Sequence, residues 1–160
     1  MHDSSYAVMR DMLALYLPHD RPLRVLDVGS MDVNGSFRAL MPANCTYVGC
    51  DITPGKNVDI VQESAYHIQD TPDDYDVVIS GQCLEHVEMP WLLVQEMARV
   101  LKPGGVCILV APWSYEIHRF PIDCWRILPD GMRVLLHMAG LKPLCEPFTH
   151  QVDCWGVAQK

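Results

Sequence analysis

Two short segments carry residue types that an adenosine-containing ligand would need. Asp27-Val28-Gly29-Ser30-Met31-Asp32-Val33-Asn34-Gly35 ends an apolar run with a glycine, which lets backbone turn sharply and approach a ligand closely. Asp51 follows at the end of the next apolar run, about twenty residues on, where a strand-end carboxylate can accept hydrogen bonds from both hydroxyls of a ribose. The first segment is not GxGxxG, because Met31 and Asn34 stand where glycines would, so a pyrophosphate-cradling loop is disfavoured. Taken alone, Asp51 also reads as a solvated strand-end aspartate.

Acid–base chemistry is concentrated in two further places. Glu85-His86 occupy a turn after a strand-like run, and a histidine there can act as a base near neutrality. The same pair could simply cap and pack the turn. It could also hold a divalent metal, but no third ligand is near it in sequence, so no metal is expected. The segment from Trp113 to Arg126 mixes Trp113, Tyr115 and Trp125 with His118, Arg119, Asp123 and Arg126. Such a loop can form an aromatic-walled pocket, with His118 as base, Asp123 as acid and Arg119 or Arg126 as an anion-binding fork. The alternative is an internal Asp123–Arg126 pair with Trp125 packed beneath the loop. His2, His19, His67, His137 and His150 show no mutual spacing that suggests a site.

These residues need a scaffold, and the apolar pattern supplies one. A helix is expected from about Ser5 to Leu17, capped by Ser4 or Ser5, with Tyr6, Met9, Leu13 and Tyr16 at helical spacing and Pro18 beyond. Buried strands are expected at 24–28, 47–50, 58–61, 76–80 and 106–111, and short helices at 36–41 and 131–139, the latter capped by Asp130. Pro90 opens a helix to Leu101, and Lys102-Pro103-Gly104-Gly105 should stop that helix. Residues 141–148 and 152–158 read as a closing hairpin. Strands alternating with helices make βαβ units, hence an α/β fold with a mostly parallel sheet and one antiparallel pair at the end. Residues 1–160 are expected to form one domain.

The blocks VLDVGS (25–30), YVGCDI (47–52), YDVVISGQCLEHV (75–87) and EMARVLKPGGVCILVAP (96–112) resemble the class I S-adenosylmethionine-dependent methyltransferases. The likeness is to the small-molecule group whose fourth strand leads into a Leu-Glu-His turn, and it covers about residues 24–112. It implies a Rossmann-like, doubly wound, seven-stranded sheet and S-adenosylmethionine as cofactor. Asp27, Gly29 and Ser30 would lie against the methionine part of the cofactor, although the family usually has further glycines where this chain has Ser30-Met31-Asp32. Asp51, followed by Ile52, would hold the ribose. Glu63-Ser64 would meet the adenine amino group, with Glu in place of the more usual Asp. Ser80-Gly81-Gln82 would offer a backbone carbonyl to the cofactor's amino group. The stretch His118…Pro-x-Asp-x-Trp-Arg resembles one in bacterial and phage methyltransferases found among sugar- and capsule-modification genes. It implies a carbohydrate or sugar substituent as methyl acceptor, with transfer to oxygen or nitrogen.

Composition limits the partners. The 160 residues carry 12 basic and 20 acidic side chains, a net charge of −8, and show no Lys/Arg cluster, so nucleic acid and anionic membranes are disfavoured. The N-terminal stretch lacks a signal-peptide pattern, and the seven scattered cysteines form no CxxC pair, which together suit a reducing cytoplasm. At this length little remains beyond the bare core. Recognition of a small-molecule acceptor then falls to the N-terminal helix, the 113–126 loop, or a neighbouring subunit in a homodimer. Two rival readings stand beside the methyltransferase: a non-catalytic binding or scaffold protein of the same fold, and an NAD-dependent oxidoreductase.

Overall fold

A computed structural model of the protein describes residues 3–18, 20–69 and 73–160. The elements are α1 (Asp3–Tyr16), β1 (Leu23–Val28), β2 (Cys45–Asp51), β3 (Ile60–Val61), β4 (Tyr75–Gly81), α2 (Pro90–Val100), β5 (Leu101–Pro112), α3 (Pro129–Met138), β6 (Lys142–Pro143), β7 (Phe148–His150) and β8 (Asp153–Gln159). The sheet order is β3-β2-β1-β4-β5-β8-β6, with β7 also paired to β8. β1 to β5 pair in parallel, and β8 runs antiparallel to β5, β6 and β7. Strand order therefore reverses between β1 and β4, and a ligand crevice belongs at their carboxyl ends.

Both faces of the sheet are covered, which is why its strands read as continuous apolar runs. Leu26, Val28, Val78, Cys107 and Leu109 point to the face packed by α2 and α3. Val25, Val77, Ile79, Ile108 and Trp155 point to the other face, where α1 contributes Met9 and Leu13. Helical spacing places Leu93, Val94, Met97 and Val100 on the buried side of α2, and each such side chain removed from water stabilises the fold by about 1.5–3 kcal/mol.

Several expectations from the sequence need correction. Ser4 and Ser5 do not cap α1 but lie within it, and the Ser5 hydroxyl donates instead to Asp153 Oδ2 at 2.5 Å. The helix expected at 36–41 is one 3-10 turn, Phe37–Leu40, capped by Ser36 Oγ accepting from Arg38 N–H. Pro42 follows at once and cannot extend it. Asp130 lies inside the first turn of α3, whose N-cap is Leu128 with Pro129 next. The breaker at 102–105 does follow the end of α2 at Val100, while the strand expected at 106–111 starts earlier: β5 begins at Leu101 opposite Tyr75, shifts register, and resumes with Val106 opposite Val77. Gly104 N–H bonds to Lys160 O at 2.9 Å and Lys160 N–H to Gly105 O at 3.0 Å, so the irregular stretch keeps a backbone partner. The sheet holds eight strands rather than seven, because the stretch expected as one hairpin arm meets β8 twice, as β6 and β7. Pro143 and Pro147 lie along it, and each lacks a ladder donor. Among the described residues, no helix is long and apolar enough to cross a membrane.

Candidate active site

A cleft of about 660 Å³ opens at the carboxyl ends of β1, β2 and β4. Its floor is made by two left-handed residues, Gly29 (φ 77°) and Gln82 (φ 59°), where β1 and β4 turn away from the sheet. The N–H groups of Gly29 and Ser30 bond to Cys50 O at 2.9 and 3.0 Å. Gly29 is obligatory twice over: its φ suits glycine, and a Cβ would stand 2.6 Å from Cys83 Sγ. Ser30 Oγ donates to Asn57 O at 3.1 Å. Gln82 N–H bonds to Val110 O at 3.0 Å, and its side-chain amide donates to Asp153 Oδ1 at 2.8 Å. Ser80 is fully buried, and its hydroxyl donates to Val28 O at 2.8 Å. Its side chain thus clamps β1 to β4, while Gly81 and Gln82 line the cleft.

Asp27 is buried beneath the first turn. Burial pushes its carboxyl up to about 7, although the Tyr47 hydroxyl, which donates to it at 2.5 Å, and the Arg38 charge oppose the rise. Asp51 closes the second side of the cleft. One of its oxygens accepts from Thr53 N–H at 3.0 Å, the other from Met31 N–H at 3.3 Å, so the carboxylate fixes the loops after β1 and β2 together. Ile52, half exposed, lies beside it on the wall.

Ser64 lines the cleft, but Glu63 is exposed and lies outside the lining residues. The residue before it, Gln62, takes the wall position. Gln62 is 6% exposed; its Oε1 accepts from Gln69 N–H at 3.0 Å, while its Nε2 is buried without a partner among the described residues. The sequence reading missed Gln62. Its only signal in the sequence is its position directly after a strand-like run; in the structure Gln62 N–H bonds to Asp51 O at 2.8 Å.

On the opposite wall stand His86 and His118, both lining the cleft. Behind them is Glu85, fully buried, with neither carboxylate oxygen hydrogen-bonded among the described residues. Burial pushes its carboxyl up to about 8, and the neighbouring Asp123 adds to that. Glu85 Oε1 lies 3.6 Å from His86 Nε2 and 3.8 Å from His118 Nε2. The expectation that Glu85-His86 has no third metal-type donor is thereby corrected: His118 arrives from the loop after β5, out of reach in sequence but adjacent in space.

That loop is braced from within. Asp123 receives both the Arg126 guanidinium, at 2.6 and 2.8 Å, and the His118 backbone N–H at 2.7 Å, and the guanidinium holds its carboxyl well below the usual carboxylate range. Arg126 also donates to Tyr115 O, Glu116 O and Trp125 O. The Trp125 indole donates to Val87 O at 2.9 Å, its ring edge-on to Trp91, and the Trp113 indole donates to Gln151 O. Asp123, Arg126, Trp113, Tyr115 and Trp125 therefore build the loop and lie outside the cleft lining, to which the loop contributes His118, Arg119, Phe120 and Pro121. The internal Asp123–Arg126 pair is present, while His118 and Arg119 of the same loop line the cleft. Among the remaining histidines, His2 and His19 lie outside the described residues.

A parallel α/β sheet reversing between β1 and β4, with this cleft at the reversal, is the Rossmann-like core of the class I methyltransferases. A family model described as a methyltransferase domain matches residues 26–109, and the chain belongs to that family. It is 34% identical over 101 residues to a Mycolicibacterium gilvum protein named as an uncharacterized methyltransferase, a match covering 56% of this chain and 39% of that one. The chain thus spans about two fifths of the length of the curated relatives it matches. Among solved structures, the [4+2]-cyclase SpnF superimposes with a TM-score of 0.75 at 16% identity, over 96% of this chain and 80% of that one. The 1,6-didemethyltoxoflavin-N1-methyltransferase of Burkholderia thailandensis, solved with 1,6-didemethyltoxoflavin and S-adenosylhomocysteine, gives a TM-score of 0.74 at 14% identity, over 99% and 77%. At such identities the likeness concerns the fold, and a cyclase among the neighbours shows that fold alone does not choose the reaction.

Proposed function

We propose that the protein is an S-adenosylmethionine-dependent methyltransferase acting on an oxygen or nitrogen of a small polar acceptor, a carbohydrate or sugar substituent. The observation that carries this reading is the convergence of the Gly29 turn, Asp51 and Gln62 on one cleft. The residues present fit the cofactor. Backbone at Gly29, where a Cβ would have no room, can approach the methionine portion, Asp51 can accept from the ribose, and the orphaned Gln62 Nε2 can donate to a ring nitrogen of the base. When bound, the cofactor supplies an electrophilic methyl group on a sulfonium.

The chain's own contribution is then alignment and exclusion of water. An acceptor hydroxyl must also lose a proton, and His86 and His118 stand on the cleft wall where they can handle it. Asp123 acts on the acceptor only indirectly, by holding His118 N–H. Seven dispersed cysteines suit a reducing compartment, which supports a cytoplasmic setting for the reaction.

Thermal unfolding with S-adenosylhomocysteine, and separately with NAD, tests the proposal. A rise in Tm with the former alone is the expected result. A rise with NAD alone would favour an oxidoreductase, and no shift with either would favour a scaffold protein.

A further inference from the structure

We propose that Glu85, His86 and His118 bind a divalent first-row transition-metal ion on the wall of the cleft. On the methyl-transfer reading above, from which the inference takes the ion's use, that ion holds the acceptor's oxygen.

The donor set is the first argument. One atom from each side chain can be chosen so that all three lie within 4.8 Å of one another, and Glu85 Oε1 stands 3.6 and 3.8 Å from the two imidazole Nε2 atoms. Donors bound to one tetrahedral zinc at about 2.0–2.2 Å lie roughly 3.3–3.5 Å apart. Two of the three separations therefore need to close by only tenths of an ångström. The third, between the two imidazoles, is no more than 4.8 Å.

The second argument is how the imidazoles are held. His86 Nδ1 lies 2.6 Å from Ile122 O. His118 Nδ1 lies 3.1 Å from Glu116 O and 3.4 Å from Asp123 Oδ2. A carbonyl oxygen can only accept, so Nδ1 carries the proton in both rings, which leaves Nε2 as the ring atom free to bind an ion in the neutral tautomer. Metal-binding histidines are oriented in this way by an oxygen acceptor behind the ring.

The third argument is Glu85 itself. A fully buried carboxylate with both oxygens lacking hydrogen-bond partners among the described residues is expensive to maintain unless something cationic meets it. Its nearest polar neighbours are the two imidazole Nε2 atoms, while the Asp123 and Asp153 charges oppose its ionisation and Arg126 favours it; a cation held between the carboxylate and the imidazoles would satisfy all three. Two imidazoles and a carboxylate select zinc, iron, cobalt or nickel over magnesium or calcium, which prefer all-oxygen sites. Three protein ligands leave coordination positions on the side of the cleft. With the ion bound the imidazoles are ligands and no longer bases, and an acceptor hydroxyl binding there would instead release its proton to solvent more readily than in water.

The test uses the full chain, stripped with chelator, re-loaded with Zn²⁺ or Co²⁺ and freed of excess ion by gel filtration. The expected result is one ion per chain by elemental analysis, and a Co²⁺ spectrum of nitrogen and oxygen ligation without a thiolate charge-transfer band. Glu85→Gln and His118→Asn, each checked for folding by circular dichroism, should weaken uptake at least about tenfold, while His67→Ala leaves it unchanged. No retained ion, a thiolate band, or uptake equal to the parent in both variants would overturn the proposal. Metal uptake is read without cofactor and the S-adenosylhomocysteine shift without metal, so failure of one reading is distinguishable from failure of the other.

Discussion

The side-chain amide of Gln82 donates to Asp153 Oδ1 at 2.8 Å while the Ser5 hydroxyl donates to Asp153 Oδ2 at 2.5 Å. One fully buried carboxylate on β8 thus ties α1 to the left-handed turn that floors the cleft. Ser5→Ala removes one of these two donors and leaves the carboxylate under-satisfied, at about 1–3 kcal/mol of stability. Urea denaturation of the variant should show that loss as a lower midpoint at unchanged slope. A midpoint equal to the parent would mean that water replaces the hydroxyl and that the tie is not structural.

Asp51 is held by two backbone N–H groups, from Met31 and Thr53, and lies on the cleft wall. If it also receives the ribose hydroxyls, Asp51→Ala removes charged hydrogen bonds of about 1.5–3 kcal/mol, roughly 10- to 100-fold in Kd for S-adenosylhomocysteine. Titration calorimetry measures this directly. Affinity equal to the parent would remove Asp51 from the binding site.

Asp27 gives a pH signature. Its carboxyl is pushed up to about 7 by burial, with Tyr47 and Arg38 opposing, against about 3.9 in an unfolded chain. The folded state therefore keeps the proton over a range where the unfolded state has lost it. Its contribution to stability is complete below about pH 4, falls as pH rises towards 7, and levels off above. Asp27→Asn cannot titrate, so the difference in unfolding free energy between parent and variant should change between about pH 4 and 7 and be flat on either side. A difference constant across that window would show that Asp27 is ionised in the folded protein.

How far the sequence carried these assignments depends on the range of the interaction. β1, β4 and the buried side of α2 were legible because strands covered on both faces are apolar throughout and a helix packed on a sheet repeats at 3.6 residues. Gly29 and Asp51 were legible because the fold delivers strand ends to one crevice. Glu63 against Gln62 shows the limit: just past the end of β3, Gln62 is buried on the cleft wall and Glu63 is exposed, so an assignment one residue off reaches solvent instead of the cleft. The pairing of Glu85 and His86 with His118 was not legible at all, since it depends on how a fourteen-residue-scale loop, roughly 113–126, folds back over the turn after β4, and that is set by side chain-to-carbonyl bonds with no periodic signature.

Arg126 makes that fold-back testable. Its five N–H bonds reach Asp123 through both oxygens and the carbonyls of Tyr115, Glu116 and Trp125, which engages every donor a guanidinium has. A lysine keeps the charge but offers three donors from a single point and cannot span that set. Arg126→Lys should therefore loosen residues 113–126 while leaving the floor at Gly29 and the carboxylate of Asp51 in place. Limited proteolysis should cut this loop faster, and methyl transfer should fall through displacement of His118, whereas the Kd for S-adenosylhomocysteine should change less than about threefold, below one hydrogen bond's worth. If cofactor affinity fell as far as turnover, the loop would be part of the cofactor's binding surface rather than a brace for the acceptor side.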